Sequence, residues 1–310
     1  MYIGIDVGGM SIKAGIVNDE GKLLLKRSVP TPLETNEAFC EAMYSAVKNV
    51  IDEYGEEFKI DAVGIGAPGV VDRKNGLLVH SSNIPYKNAP VAEYLKQKLG
   101  DIPVFVENDA NCAAVGEYYA ANGAENVVFV TLGTGVGGGI IINGKLFTGS
   151  NGAGGEIGHI VTHAGGRKCN CGRYGCWEAY ASTSGLIRLT EENRGRIEAV
   201  KNGEKISGRT AFDEARKGDA AAIEVRDQWI EEIAIGITDI INIFQPDEVV
   251  IGGAIIKEGD VIMEPVRKYV YDNEYTTSSE RIRHSAIIPS RLGEDAGIIG
   301  AALLYKNQMD

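Results

Sequence analysis

A chain of 310 residues, 44% hydrophobic and 24% charged, can bury a large core and is long enough for two domains of ordinary size. Its net charge of −12 argues against nucleic acid or an anionic membrane as the main partner, and no apolar run nears the roughly 20 residues that span a bilayer. A start at Met1-Tyr2-Ile3-Gly4-Ile5-Asp6 without a leader pattern, and five Cys with three packed into Cys169–Cys176, predict a reducing, cytoplasmic setting.

The first element is a hairpin. Ile5-Asp6-Val7-Gly8-Gly9-Met10-Ser11-Ile12-Lys13 runs on to Gly15-Ile16-Val17-Asn18 and Gly21-Lys22-Leu23. The segment Asn36 to Tyr54 places Phe39, Met43, Val47, Val50 and Tyr54 at helical spacing. Ala62 to Gly66 reads as a buried strand ending in the turn Ala67-Pro68-Gly69, and Ile102 to Val106 as another. A helix then starts near Asp109 and stops at Asn122-Gly123. About 125 residues after the first hairpin comes a second, Val130-Thr131-Leu132-Gly133-Thr134-Gly135-Val136 followed by Ile140-Ile141-Ile142-Asn143-Gly144-Lys145-Leu146. A long helical pattern covers Ala220 to Phe244, closed by Pro246, then a strand from Glu248 to Ile251 ending at Gly252-Gly253. The tail from Ala296 to Tyr305 is a last apolar helix. Strands alternating with helices make the class α/β, and the long-period repeat predicts duplicated α/β halves.

Both hairpin turns offer backbone N–H groups with little side chain in the way, which suits phosphate. Gly8-Gly9 and Gly133-Thr134-Gly135 supply the turns, Lys13 a cation, and Asp6 a carboxylate able to hold Mg²⁺ through water. A tight hairpin turn also favours Gly, so each turn alone is ambiguous. Neither is a Walker A loop or a dinucleotide fingerprint, because the strand-turn-helix context is missing. In Phe105-Val106-Glu107-Asn108-Asp109 a strand end delivers Asn and Asp side by side. One carboxylate is enough to take a hydroxyl proton in phosphoryl transfer, although Asp is also a common helix cap. His159, Cys169, Cys171 and Cys176 make a Cys₃His set for a structural zinc, in a Gly-rich loop with little means of packing itself. The C-x-C-x₄-C spacing is not the common knuckle, free thiols are the alternative, and His163 is a rival ligand. Glu156 and Glu178 bracket this loop, and with His159 they can accept hydrogen bonds from vicinal hydroxyls, or lie solvated on the surface. Cys40 and Cys112 fall on predicted helices and are expected to be buried.

Taken together, Asp6-Val7-Gly8-Gly9, Ala67-Pro68-Gly69, Glu107-Asn108-Asp109-Ala110-Asn111, Gly133 to Gly139, Gly155-Glu156-Ile157-Gly158-His159 and Cys169 to Glu178 resemble the ROK family of sugar kinases and sugar-responsive repressors. The resemblance covers essentially the whole chain. It implies two ribonuclease-H-like domains of the actin/hexokinase type with a cleft between them. Residues 1–115 would form the first, 116–295 the second with the zinc loop, and helix 296–310 would pack back on the first. It further implies ATP-dependent phosphorylation of a hexose 6-hydroxyl, with Asp109 as base and Mg²⁺, ATP and structural Zn²⁺ as cofactors. Gly69, Ser82, Asn83, Asn108, Asp109, Glu156, His159 and Glu178 would contact the sugar. Asp6, Gly8, Gly9, Ser11, Lys13, Gly133, Thr134 and Gly135 would clasp the nucleotide phosphates, and Gly252-Gly253 would form the adenosine-side turn.

Asn83-Ile84-Pro85 and Gly175-Cys176-Trp177-Glu178 look most like glucokinases, while N-acetylmannosamine, fructose, mannose and allose kinases share every catalytic feature. Repressors of the family carry an N-terminal helix-turn-helix, for which a strand starting at Tyr2 leaves no room. The family also implies a homodimer. Met10 departs from the pattern, which has Thr or Ser after the paired glycines, and Ser11 or water is expected to replace the missing hydroxyl.

Overall fold

The computed structural model describes residues 1–309 except 56–57, 82–83, 101, 122 and 277–282. Contacts divide the chain into two units, Met1–Phe129 with Gly139–Gly155 and Ser290–Asp310, and Val130–Gly138 with Glu156–Pro289. The first unit thus runs past the division expected at residue 115.

Alternating β-branched residues at the N-terminus form β1 (Tyr2–Val7) and β2 (Ser11–Val17), an antiparallel hairpin extended by β3 (Leu23–Pro30). Helix α1 (Asn36–Tyr54) matches its expected bounds because both ends are encoded locally. Thr35 caps it through a side-chain bond to the Ala38 N–H, and Gly55 ends it in the left-handed conformation. Next come β4 (Ala62–Ala67), the short strands β5 (Val70–Asp72), β6 (Leu77–His80) and β7 (Lys87–Ala89), and α2 (Val91–Leu99). Strand β8 (Val104–Asn108) begins two residues later than expected, after Pro103, and α3 (Asp109–Ala120) follows without a break. The helix ends before the stop expected at Asn122-Gly123: Ala121 is its C-cap, with its N–H donating to the Tyr118 carbonyl at 3.1 Å, Gly123 lies beyond it at φ 84°, and Asn122 lies outside the described residues. Strands β9 (Val127–Leu132), β10 (Val136–Ile142) and β11 (Lys145–Phe147) form the second hairpin set. The rest is mainly helical: α4 (Glu178–Ala181), α5 (Thr183–Glu192), α6 (Glu198–Lys201), α7 (Thr210–Arg216) and α8 (Ala220–Phe244). Then follow β12 (Glu248–Gly252), α9 (Asp260–Asn273), β13 (Ala286–Pro289) and α10 (Ala296–Met309).

One five-stranded sheet has the order β3-β2-β1-β4-β8, the other β11-β10-β9-β12-β13. Each is an antiparallel hairpin set followed by two further strands, so the repeat read in the sequence is a repeat of sheet topology. A third sheet, β5-β6-β7, is a short antiparallel meander.

In the first unit β1, β4 and β8 run parallel, with Asp6 level with Gly66, Gly66 with Glu107, and Ala67 with Asn108. The ends of these strands therefore deliver Asp6, the turn to Gly69, and Asn108-Asp109 to one edge of one sheet, the edge at which open α/β sheets bind ligands. One face of the sheet packs on α1, where Phe39, Met43 and Val47 are fully buried, each contributing roughly 1.5–3 kcal/mol. Helices α10 and α3 take the other side, and only glycine permits their approach. A Cβ at Gly64 would lie 1.7 Å from the Ala301 carbonyl oxygen, and one at Gly300 would lie 1.6 Å from that of Cys112.

The second unit is built around α8, capped by Asp219 and ending at Gln245 in the left-handed conformation. Trp177 and Trp229 are fully buried here. Their indole N–H groups donate to the Glu232 carbonyl at 2.7 Å and the Ser182 carbonyl at 3.0 Å. Anchoring Trp177 on α8 fixes where Glu178, the first residue of α4, begins.

Candidate active site

Asn108, not Asp109, caps α3. Its Oδ1 accepts from the N–H groups of Ala110 at 2.9 Å and Asn111 at 3.2 Å, and its Nδ2 donates to the Gly69 carbonyl at 3.2 Å. Asp109 is the first helical residue, half-buried, with Oδ1 accepting from the Ala110 N–H at 2.9 Å. The adjacent pair thus divides two tasks, Asn108 closing the helix and binding the Gly69 turn while Asp109 presents a carboxylate. Ser82 and Asn83 lie outside the described residues.

Asp6 at the end of β1 faces Lys13 across the hairpin at 3.4 Å. Burial pushes the Asp6 carboxyl above its ordinary range, and Lys13 pulls it back in part. A desolvated carboxylate beside a single cation suits a hydrated Mg²⁺. The turn above it is closed by the Gly8 N–H donating to the Ser11 carbonyl at 2.9 Å, and by Thr31, whose hydroxyl donates to the Gly8 carbonyl at 2.7 Å. Met10 is 90% exposed at its tip. None of Gly8, Gly9, Gly133 and Gly135 lies in the left-handed region that the common two-residue hairpin turns require. Backbone conformation therefore does not explain these glycines, and their effect is to leave those positions of the two turns without side chains.

In the second unit the turn Gly133-Thr134-Gly135 is held from α5, the Thr183 N–H donating to the Gly133 carbonyl at 2.9 Å and the Ser184 hydroxyl to that of Thr134 at 2.7 Å. Sequence inspection missed both residues, and the only local sign was the Ser182 cap that starts α5. Glu178 Oε2 accepts from the Val136 N–H at 3.0 Å, and a Cβ at Gly135 would sit 2.3 Å from that oxygen. Gly135 thus makes room for Glu178. Gly253, at φ 104°, has the Leu132 carbonyl 2.2 Å from where a Cβ would stand, so the end of β12 admits only glycine.

Glu156 precedes the short turn Ile157–His159, whose last residue donates its N–H back to the Glu156 carbonyl at 3.0 Å. The ligand atoms of His159, Cys169, Cys171 and Cys176 all lie within 4.8 Å of one another. Cys171 and Cys176 sulfurs are 3.6 Å apart, and His159 Nδ1 is 3.8 Å from the Cys169 sulfur. A tetrahedral ion about 2.3 Å from each sulfur sets neighbouring sulfurs about 3.8 Å apart, so the set fits zinc. Burial pushes the Cys169 and Cys176 thiols up, while the Arg173 backbone N–H lowers Cys171. A divalent cation would hold all three as thiolates. Cys169 also touches Glu178 Oε1 at 3.6 Å, linking the cysteine cluster to α4. His163 stands apart, stacked on Tyr180 at 4.1 Å with Nε2 3.6 Å from Glu232.

The sequence reading gave no role to a buried carboxylate two residues before Asp109 or to the half-buried arginine against it. Glu107 is fully buried, with Arg73 2.5 Å away in an ion pair and the Asn111 amide donating to it at 2.9 Å. Cys40 and Cys112 are buried as expected. No described helix is long and apolar enough to cross a membrane.

A model of the ROK family matches residues 2–308. The chain is 36% identical over 316 residues to a glucokinase of Thermotoga maritima, a match covering 99% of this chain and 98% of that one. Among solved structures, a ROK family glucokinase from Streptomyces griseus in complex with glucose and AMPPNP is 37% identical, with a TM-score of 0.78 over 98% of each chain. A ROK hexokinase from Thermus thermophilus is 33% identical, with a TM-score of 0.83 over 100% of this chain and 99% of that one. The mixed α/β architecture is the two-domain actin-like fold of these kinases. Sheet order, strand-end motifs and these full-length likenesses agree, and the chain belongs to the ROK family.

Proposed function

We propose that this protein is an ATP-dependent hexose kinase acting on the 6-hydroxyl of glucose. The observation that carries the assignment is the Asn108-Asp109 pair at the carboxyl end of β8, beside the Gly69 turn and on the same sheet edge as Asp6. Full-length similarity to glucokinases supports glucose as the substrate.

Asp109 takes the proton of the 6-hydroxyl as that oxygen bonds to the γ-phosphorus of ATP and the bond to ADP breaks. Such a transfer asks the protein for positioning and charge rather than covalent chemistry. Asn108 and Gly69 orient the hydroxyl-bearing face of the sugar, and Glu156, His159 and Glu178 accept from its remaining hydroxyls. Backbone N–H groups of Gly9, Thr134 and Gly135 hold phosphate oxygens, in turns that the Gly8 and Gly133 N–H groups close, with Ser11 adding the hydroxyl that Met10 lacks. Lys13 offsets phosphate charge, and Gly252-Gly253 leaves room for the adenosine. Asp6 would hold Mg²⁺, which neutralises charge on the transferring phosphates. His159, Cys169, Cys171 and Cys176 would hold zinc, which orders the loop that ends at Glu178. The family assembly implied is a homodimer, measurable by light scattering.

A coupled ADP-release assay across hexoses and N-acetylhexosamines tests the substrate. Glucose is expected to give the highest kcat/KM, and a tenfold preference for another sugar, or no turnover with any, overturns the assignment.

A further inference from the structure

Glu107 lies in β8 level with Gly66 of β4, and its side chain is wholly enclosed. Its Oε1 accepts from the Asn108 N–H at 2.8 Å and from Asn111 Nδ2 at 2.9 Å. One oxygen therefore holds the residue before Asp109 and the residue two after it. Oε2 lies 2.5 Å from Arg73 Nε, a charge contact out of hydrogen-bond alignment among the described residues. Arg73 sits in the turn between β5 and β6, the hairpin that follows directly on Gly69. The same hairpin is tied a second time, where Asn108 donates to the Gly69 carbonyl at 3.2 Å.

With Glu107 wholly enclosed and Arg73 half-buried, the ion pair is poor material for stability alone, since an enclosed charge repays its desolvation only with good geometry, and apolar residues of the same volume often serve as well. This one has imperfect geometry and stands two residues from the assigned base. It connects the segment bearing Gly69 to the segment bearing Asn108 and Asp109, so a displacement of the β5–β6 hairpin is transmitted through the carboxylate to Asn108 and Asn111, on either side of Asp109.

We propose that Arg73 and Glu107 are a positioning pair for the kinase reaction, setting the orientation of Asn108-Asp109 against the Gly69 turn; the proposal rests on the kinase assignment above. Neither residue touches the reacting atoms. Their removal should lower kcat and leave binding nearly intact.

The test compares Glu107→Gln, Arg73→Met, Arg73→Lys and the double variant Arg73→Met/Glu107→Gln in the full chain. Arg73→Met leaves a buried carboxylate unpaired and should lower Tm, and the double variant should recover it. With glucose, the double variant is expected to keep KM for sugar and ATP within about threefold while kcat stays about tenfold or more below wild type. Arg73→Lys, which keeps a cation, should retain more kcat than Arg73→Met. A merely structural pair would return kcat together with Tm, so a stable double variant turning over within about threefold of wild type overturns the proposal. If the double variant does not fold, Glu107→Gln alone answers, because its amide oxygen keeps both donors. Inactivity of the wild type with every hexose would instead sink the kinase assignment. The pair is then judged by amide hydrogen exchange: exchange over residues 107–111 about tenfold faster in the folded double variant supports it, and wild-type protection there overturns it.

Discussion

Asp109→Asn separates chemistry from folding because of where the helix cap falls. Asn108 already satisfies the N–H groups of Ala110 and Asn111, so the start of α3 does not depend on the Asp109 charge. An Asn side chain keeps the Oδ1 that accepts from the Ala110 N–H at 2.9 Å. What is lost for stability is one negative charge in the first turn, about 0.3–1 kcal/mol. What would be lost for catalysis is the proposed proton acceptor, expected to cost 10²–10⁴-fold in kcat, or about 2.7–5.4 kcal/mol of barrier. Coupled ADP release should show that fall, while calorimetric titration with glucose and a thermal melt stay near wild type. Asn108→Ala is the control with the opposite signature. It removes the cap, about 0.5–2 kcal/mol, and the Gly69 contact, so Tm and sugar affinity should both fall. A folded Asp109→Asn enzyme with kcat within about tenfold of wild type would refute the base assignment.

Four further outcomes follow from the geometry. Metal analysis of the purified protein should find zinc, and chelator or Cys176→Ser should lower Tm; protein without zinc that is indifferent to chelator refutes the site. Gly300→Ala places a methyl 1.6 Å from the Cys112 carbonyl and should destabilise by about 3 kcal/mol or more, so an unchanged melt would contradict the close packing of α10 on α3. Asp6 has a raised pKa, so its contribution to stability is full below its ordinary value of 3.8 and is lost as pH rises through the raised value. Asp6→Asn should then gain stability relative to wild type as pH rises through that window while losing affinity for Mg-ATP; parallel Tm–pH curves for the two proteins would remove the cause given. Ser11→Ala should raise KM for ATP if Ser11 replaces the hydroxyl absent at Met10, and an unchanged KM discards that role.

What was legible in the sequence is what neighbouring residues encode. Helices α1 and α8 were bounded closely by apolar spacing and Pro246, and those bounds hold because Thr35, Gly55 and Asp219 cap their ends. The paired hairpins were legible because strand, turn and strand are contiguous, and the two matching sheets follow from them. Short strands carry too few residues for a period, so β5, β6 and β7 went unforeseen although they bear the hairpin after Gly69. Helix α9 was also missed, and it carries Pro265 inside it, a residue that reads as a helix breaker. The cysteine cluster and His159 as its fourth member were legible in the sequence, with His163 as a rival, and the fold separates the two because four residues along the chain send one ring to Cys169 and the other to Tyr180.

The candidate site divides along the same line. Asp6, Gly69, Asn108 and Asp109 sit at strand ends, and parallel pairing brings strand ends together whatever the side chains between them do. A motif can therefore name the groups proposed to act. It cannot name what aims them, because Arg73 and Glu107 meet through packing of segments that no local pattern relates. The two kinds of residue should also fail differently. Loss of Asp109 would remove the proposed acceptor, and no adjustment of geometry would restore it. Loss of the Arg73–Glu107 pair leaves the acceptor in place and spreads its orientations, so turnover falls in proportion to the time Asp109 spends misaligned, and a lysine at position 73 can recover part of it. That difference in rescue, more than the size of either loss, distinguishes the base from the groups that hold it.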